Sequence, residues 1–422
     1  LYLTYLIHKE LLGYKFAFLS PLILITTFLW INYANMASQD IFFATGITFG
    51  VFSSIKSYKS QKGIYFLFSG SWIGLSFMFK TYLTCLPLLA IAPFLIQKKI
   101  IQNKLFWIGL TLGFLPFTIW SFSILKTYGF ESYYGLFEKL LILSKNNTFT
   151  NPFYYYLWNL PLNIFPWSIF ALLGFLKSLK SNNYIERYIL FFYPLINIVL
   201  LSLFSTKTPY YPLQIMPLIS LNTYKGIINT IANQTFLNKL ITYVNFLSIP
   251  SILLLITIYI NSDYSKLIIN NNDKFLITSS ALTFSSVWIC VILFKSLKKK
   301  IIFALLGPYL LTCILVQSGT LSDRSKDLRI ATENLIKSNS FDKMPIEVVK
   351  EDINSTSAHS KIIKIALLMP KIGNGIKNLN DLKVDQFAWI TNTKLEHYEK
   401  NKFKIVDDST IFNPWKLVTR TN

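Results

Sequence analysis

Three charged residues lie at the ends of long apolar runs, and their types suit chemistry on a phosphate. Asp40 opens one apolar run, Lys80 separates two others, and Lys207 precedes a fourth. Each has an ordinary explanation, because the helix dipole favours a carboxylate near a helix N-terminus and lysines at helix ends extend their ammonium groups to a polar surface. Their shared depth nevertheless predicts that the three side chains meet at one site.

Two cations and a carboxylate at the boundary between an apolar and an aqueous phase suit a sugar carried on a polyprenyl phosphate. The lipid tail needs an apolar groove, and lysines bind the phosphate as point charges. Fixed cations also stabilise the negative charge that a departing phosphate develops in the transition state. The carboxylate could take the proton of an acceptor hydroxyl or bind the sugar. No glycine-rich loop opens a helix, so the sequence does not predict a nucleotide-binding fold.

The composition divides the chain into two regions that need different solvents. Hydrophobic residues make up 52% of the 422 residues. Charged residues make up 14%, against about 25% in soluble domains. Seven of the 20 acidic residues lie up to Thr320, and the other thirteen follow Leu321. We therefore predict an all-α polytopic membrane bundle over residues 1–320 and a small α+β soluble domain over residues 321–422.

About eleven apolar segments are interpreted as membrane spans. They run approximately over Phe16–Tyr33, Ile41–Ile55, Ile64–Phe79, Thr81–Ile96, Leu105–Leu125, Tyr155–Leu176, Tyr188–Phe204, Tyr210–Leu221, Leu237–Ile260, Phe275–Phe294 and Ile301–Val316. Every second loop is rich in lysine, which predicts that these loops are cytoplasmic and accounts for the net charge of +21 without a nucleic-acid partner. The predicted protein is a multi-pass protein of the cell (inner) membrane. Asp40, Lys80, Lys207 and the C-terminal domain would then lie on its periplasmic or outer side.

The C-terminal region has the patterns of a small mixed domain. Helical spacing relates Leu328, Ala331, Leu335 and Ile336, and Lys361–Met369 could form a second helix. The runs QFAWIT, FKIVDD and WKLVTR predict strands. No arrangement of residues in this region indicates catalysis.

Metal and cofactor sites are not predicted. Cys85, Cys290 and Cys313 lie inside apolar runs, without the spacing of a metal site or a disulfide framework. His359 and His397 are isolated in the C-terminal region. A transition-metal site would need a cluster of His, Cys or carboxylate ligands, so we expect no catalytic metal.

Four runs that include or flank these charged residues resemble the GT-C class of polytopic glycosyltransferases. They are NMASQDIFFATGITFGVF, GSWIGLSFMFKTYLTCLPLL, NPFYYYLWNLPLNIFPWSIF and STKTPYYPLQIMPLISL, in this order between Leu1 and Leu221. The sequence is most similar to the aminoarabinose-transferase-like and protein-mannosyltransferase-like family, of the glycosyltransferase family 39/83 type. The Lys-x-Pro-x-Tyr turn of Lys207, Pro209 and Tyr211 carries the resemblance, together with the acid Asp40.

The resemblance implies transfer of one sugar from a polyprenyl-phosphate donor to a lipid, glycan or protein acceptor at the outer membrane face. It implies inversion at the anomeric carbon. The residues expected to bind the donor phosphate are Lys80, Lys207, Tyr210 and Tyr211. Asp40 is the expected catalytic residue, acting at the sugar or at the acceptor. Membrane lipids are the remaining expected partners.

Two features depart from the family pattern. The family places an acidic residue in the first outer loop, and this chain begins after that point, so we expect a truncated N-terminus and a fragment that could be inactive by itself. The usual Lys-Gly of the family is here Lys80-Thr81. In a long outer loop, Glu138, Lys139 and Asn147 are further candidates for contact with donor or acceptor, although a solvated loop is the simpler interpretation.

A polytopic transporter or lipid flippase is the alternative function. It predicts charged or broken helices near the midplane of the membrane. The sequence places essentially no ionisable residue in the middle of an apolar segment. This pattern favours the transferase.

Overall fold

A computed structural model describes residues 1–36, 38–131, 133–134, 150–232, 235–262, 271–319, 325–338, 341, 345–350, 356–398, 402–407 and 409–421. The chain forms two compact units, Leu1–Ser322 and Asp323–Asn422. The first unit is predominantly helical, and the second combines helices with a sheet.

The helices of the first unit follow one another with short connections. They are α1 (Tyr2–Leu12), α2 (Leu19–Ile25), α3 (Phe28–Ala34), α4 (Gln39–Ser60), α5 (Gly63–Lys80), α6 (Cys85–Gln97), α7 (Lys104–Tyr128), α8 (Tyr155–Ile164), α9 (Ser168–Leu179), α10 (Tyr184–Arg187), α11 (Tyr193–Leu203), α12 (Met216–Ala232), α13 (Phe236–Asn261), α14 (Asn271–Leu293) and α15 (Leu297–Gln317). Short 3₁₀ turns occur at Thr81–Thr84, Ile100–Gln102 and Tyr211–Ile215, and a π-helical turn at Tyr188–Phe192 joins α10 to α11.

Within the described residues, six helical stretches are long and apolar enough to cross a membrane. They are Gly63–Gln97, Lys104–Tyr128, Tyr184–Leu203, Phe236–Asn261, Asn272–Leu293 and Leu297–Gln317. A seventh is added if the bent pair α8 and α9 counts as one span. The predicted polytopic helical bundle is confirmed, whereas eleven separate spans are not.

Hydropathy overestimates the spans because it does not register breaks. The predicted span Phe16–Tyr33 is two short helices, α2 and α3, separated at Thr26 and Thr27. The hydroxyls of both threonines donate to main-chain carbonyls three residues earlier, at 2.9 and 2.8 Å, and Thr27 has an extended backbone. The predicted span Tyr210–Leu221 likewise begins as a 3₁₀ turn before α12.

The break between α2 and α3 packs against the elbow between α8 and α9, which are bent by 113°. Trp167 in this elbow is fully buried, and its Nε1 donates to Thr26 Oγ1 at 2.9 Å. Its ring lies 5.9 Å from the buried ring of Trp288 on α14. The two breaks are therefore anchored to each other and to the core of the bundle.

Glycines allow α5 and α7 to approach each other closely. A Cβ atom at Gly70 would lie 2.0 Å from the carbonyl oxygen of Phe106, and one at Gly109 would lie 1.9 Å from that of Leu67. Both distances are well inside van der Waals contact, so only glycine fits. Small residues at helix contacts are typical of helix pairs in membranes, where dispersion and weak backbone contacts hold the helices together.

The second unit has a four-stranded sheet in the order β1-β2-β4-β3. Its strands are β1 (Glu347–Val348), β2 (Phe387–Thr391), β3 (Phe403–Asp407) and β4 (Trp415–Arg420), and its helices are α16 (Lys326–Ser338), α17 (Thr356–Leu368) and α18 (Asn392–Leu395). β1 pairs with β2 in parallel, and the other pairs are antiparallel. Trp389, Phe412 and Trp415 are buried in its core. The three runs predicted as strands form β2, β3 and β4.

Candidate active site

The site begins at the first turn of α4. Ser38 precedes this helix with an extended backbone, and its Oγ accepts a hydrogen bond from the main-chain nitrogen of Asp40 at 3.1 Å. The same hydroxyl donates to Asp40 Oδ2 at 2.5 Å. A serine cap of this kind satisfies a free main-chain donor of the helix and also fixes the carboxylate. Asp40 therefore has a defined orientation at the N-terminus of α4.

The second charged group lies at the last turn of α5. Lys80 is the final residue of α5, and Thr81 then adopts a φ of 38°, which ends the helix. α4 and α5 pack along each other in opposite directions, with Gly50 of α4 directly against the ring of Trp72. The start of α4 and the end of α5 consequently lie side by side.

Asp40 and Lys80 form an ion pair. The distance from Lys80 Nζ to Asp40 Oδ1 is 2.8 Å, and the two side chains are only 12% and 14% exposed. The ammonium group also lies 5.3 Å from the centroid of the Tyr210 ring, which is within the range of a cation–π contact. Tyr210 in turn contacts the rings of Tyr33 and Tyr211, at centroid distances of 5.4 and 5.2 Å.

These side chains enclose a small cavity. It is lined by Asp40, Phe43, Lys80, Leu83, Leu201, Tyr210, Tyr211, Leu213 and Gln214. Its volume is about 10 Å³, which is roughly the space of one water-sized group. The structure thus brings together four of the five residues that the sequence suggested.

Lys207, the fifth, makes different contacts. Its side chain is buried, and its Nζ donates to the main-chain carbonyls of Asn151 at 2.9 Å and Phe204 at 2.5 Å. The Asn151 amide donates back to the carbonyl of Lys207 at 3.0 Å. Burial lowers the pKa of the Lys207 ammonium group. Lys207 does not line the cavity beside Asp40, and its contacts hold two chain segments together.

The segment after Lys207 is bound to α8. Tyr156 donates its phenolic hydrogen to the carbonyl of Thr208 at 3.1 Å, and Asn163 Nδ2 donates to the carbonyl of Pro209 at 3.3 Å. These bonds fix the chain immediately before Tyr210. The position of the tyrosine rings over Lys80 therefore depends on the α8 contacts.

The two tyrosines of the site remain protonated near neutral pH. Burial raises the pKa of Tyr211 to about 12, and the neighbouring Tyr210 adds to this rise. Burial also raises the pKa of Tyr210. Neither phenol can therefore act as a base in the physiological range, and both present neutral rings and hydroxyls to the cavity. The acidic side chain lining this cavity is Asp40.

A separate group of charges lies at the other end of α4. Lys56 Nζ is 2.7 Å from Glu10 Oε1. Lys56 is sixteen residues after Asp40, which places the two roughly 24 Å apart along a helix. The two ion pairs therefore lie at opposite ends of the bundle and cannot belong to one site.

Sequence reasoning missed Gln214. It is a polar residue within the apolar run PLQIMPL, and it is buried against the cavity. Polar residues inside apolar segments mark functional sites more often than charged residues at their ends, so its position carried a usable signal. The further candidates Glu138, Lys139 and Asn147 lie outside the described residues. In the part of the chain that the structure describes, no group of three or more His, Cys, Asp or Glu side chains could hold a metal ion.

The comparisons with known proteins agree with the site and the fold. Residues 1–121 match the family model of dolichyl-phosphate-mannose-protein mannosyltransferase. The fold is similar to the crystal structure of ArnT from Cupriavidus metallidurans bound to undecaprenyl phosphate, with a TM-score of 0.72 and 11% identity over 99% of this chain and 81% of that chain. The apo state of the same protein gives a TM-score of 0.67 and 11% identity over 99% and 80% of the two chains. No curated protein matches the sequence.

The chain has the GT-C glycosyltransferase fold. The resemblance inferred from the four sequence runs is confirmed. Both the matched family and ArnT are glycosyltransferases that use donors linked to polyprenyl phosphate. The GT-C fold places Asp40, Lys80, Tyr210 and Tyr211 at helix ends, where an apolar lipid tail and a charged phosphate can be bound at once.

Proposed function

We propose that this protein is a membrane glycosyltransferase that moves one sugar from a polyprenyl-phosphate donor to a lipid, glycan or protein acceptor. The observation that carries the proposal is the Asp40–Lys80 pair, which is covered by Tyr210 and lies at helix ends in a GT-C fold. A carboxylate and a lysine at one point supply the two charges that this transfer needs. The match to the mannosyltransferase family supports the same reaction class.

The reaction is a direct displacement with inversion. An oxygen of the acceptor hydroxyl forms a bond to the anomeric carbon while the bond from that carbon to the phosphate oxygen breaks. The electron pair of the broken bond goes to the phosphate, and Lys80 stabilises the resulting negative charge. Asp40 takes the proton of the acceptor hydroxyl as general base.

Donor binding changes the partner of Lys80. In the structure its ammonium group is bound to the carboxylate of Asp40 at 2.8 Å. A phosphate competes for the same ammonium group, and the Tyr210 ring keeps that group near its position through a cation–π contact. Asp40 then loses its ion-pair partner and becomes available to the acceptor.

The expected location is the periplasmic or outer face of the cell (inner) membrane. The alternation of lysine-rich loops supports this orientation, because such loops remain cytoplasmic. Residues 321–422 would lie on the same face and could recognise the acceptor or cover the site. Lys207 has two possible roles, since its contacts with main-chain carbonyls compete with direct binding of the donor phosphate.

The proposal is tested by sugar transfer with the full-length protein in membranes. Radiolabelled undecaprenyl-phosphate sugars serve as donors, and Asp40→Asn and Lys80→Met are compared with wild type at matched expression. Lys239→Ala is the control, because Lys239 is an exposed lysine outside the site. We expect both site variants to lose at least about a hundredfold in transfer rate, the lower range for a missing general base, while the control keeps it. Full activity in both site variants would contradict the assignment.

A further inference from the structure

Gln214 is a buried amide whose oxygen has no hydrogen-bond partner. It lies in the 3₁₀ turn Tyr211–Ile215 and is only 4% exposed. Among the described residues, its Oε1 is one of the few buried side-chain atoms without a partner. Leaving such an acceptor unsatisfied is unfavourable for the folded protein. An amide retained at this cost needs an explanation other than stability.

The surroundings of Gln214 are those of the site. Gln214 lines the same cavity as Asp40, Lys80, Tyr210 and Tyr211. Asp40 is bound by Ser38 and Lys80, and the Lys80 ammonium group is bound by Asp40 and covered by Tyr210. The charged groups of the cavity thus have partners within the protein, whereas the Gln214 oxygen keeps an unused acceptor.

The chemistry of an acceptor decides what it can bind. A phosphate diester or an ionised phosphate presents oxygens that accept, so it cannot satisfy an amide oxygen and belongs at Lys80. A sugar hydroxyl or amino group presents a hydrogen that can be donated. The cavity of about 10 Å³ admits one group of this size, and a sugar ring would remain outside it.

We propose that Gln214 is a specificity-determining residue, whose Oε1 accepts a hydrogen bond from a hydroxyl or amino group of the donor sugar. This inference rests on the proposed glycosyl transfer. When the donor phosphate draws Lys80 away from Asp40, the cavity opens towards the sugar. The amide then rotates about its last side-chain bond, a torsion with a broad minimum, and turns Oε1 to the sugar.

The test compares two lipids on the full-length protein in nanodiscs. One is undecaprenyl phosphate, which carries no sugar, and the other is undecaprenyl-phosphate mannose. The variant is Gln214→Met, which keeps the length of the side chain and removes the amide. We expect it to bind the mannose lipid about fivefold more weakly, the effect of one lost hydrogen bond, and to bind undecaprenyl phosphate as wild type does.

A second readout separates recognition from a structural role. Because methionine removes an unsatisfied buried acceptor, Gln214→Met should unfold at the same temperature as wild type or at a higher one. Donors that lack one hydroxyl complete a double-mutant cycle, in which the deoxy donor that costs wild type affinity costs the variant nothing further.

The outcomes distinguish this inference from the proposed function. Equal binding of the mannose lipid by wild type and Gln214→Met would overturn the role of Gln214, and so would an equal loss for both lipids. Failure of wild type to bind undecaprenyl phosphate would overturn the proposed function itself. Lys80→Met serves as the matched control, since it should weaken binding of both lipids.

Discussion

At the residue scale, the Asp40–Lys80 pair assigns two different tasks to two charges that lie 2.8 Å apart. The ammonium group can bind a phosphate only by sharing or leaving the carboxylate. Removing the carboxylate should therefore help the lipid to bind while preventing the reaction. A purely structural ion pair would not show this opposition.

Asp40→Asn is expected to bind undecaprenyl phosphate at least as tightly as wild type and to transfer sugar at least about a hundredfold more slowly. The amide no longer competes with the phosphate for Lys80 and no longer repels it, but it cannot take a proton. Binding is measured in nanodiscs, and transfer is measured with the same preparation. Weaker binding in Asp40→Asn would show that the carboxylate supports the site instead of acting in the reaction.

The sequence identified most of the residues of this site but not their pairing. Asp40, Lys80, Tyr210 and Tyr211 were found because charged and aromatic residues at the ends of apolar runs are conspicuous. The ion pair was not predicted, since it depends on the packing of α4 against α5. Gln214 was overlooked because a single polar residue in an apolar run looks like part of the span.

At the element scale, Lys207 connects the segment before Tyr210 to the start of the segment that leads to α8. Its ammonium group donates to the carbonyls of Asn151 and Phe204. The motif in which Lys207 lies indicated a phosphate ligand, and that role stays a prediction. The contacts show that Lys207 also holds the chain that carries the tyrosine rings.

Lys207→Met should lower the free energy of unfolding by about 1–3 kcal/mol, because two buried carbonyls lose their donor. Thermal unfolding of the purified protein measures this effect, with the exposed Lys239→Met as the control. Affinity for undecaprenyl phosphate is measured in parallel. Unchanged stability together with weaker lipid binding would instead assign Lys207 directly to the phosphate.

The number of spans could not be obtained from the sequence for a related reason. Hydropathy recognises apolar residues, but it does not detect the break at Thr26 and Thr27 or the elbow of 113° between α8 and α9. Both breaks are stabilised by a tertiary contact, the hydrogen bond from Trp167 to Thr26. No pattern in either segment alone contains that contact.

At the scale of the whole molecule, the orientation in the membrane decides which compartment supplies the acceptor. The lysine-rich loops predict that Lys62, between α4 and α5, faces the cytoplasm. Asn35, before α4, and Lys404, on β3, should face the other side. All three residues are exposed.

This orientation is tested with single cysteines and a membrane-impermeant maleimide. Cys85, Cys290 and Cys313 are first replaced by alanine, because two of them are exposed. In intact cells with a permeable outer envelope, Asn35→Cys and Lys404→Cys should be labelled, and Lys62→Cys only after the membrane is opened. Labelling of Lys62→Cys in intact cells would reverse the assigned topology.

The close packing of α5 and α7 has a consequence for the membrane around the protein. Because Gly70 and Gly109 leave no space between the two backbones, the pair cannot slide or separate when the surrounding bilayer becomes thicker or thinner, and it must tilt as one body. Lys80 is the last residue of α5, whereas Tyr210 belongs to a different segment that α8 holds in place. A change of lipid acyl-chain length would thus move the ammonium group relative to the ring that covers it, so the thickness of the bilayer becomes a determinant of the turnover rate.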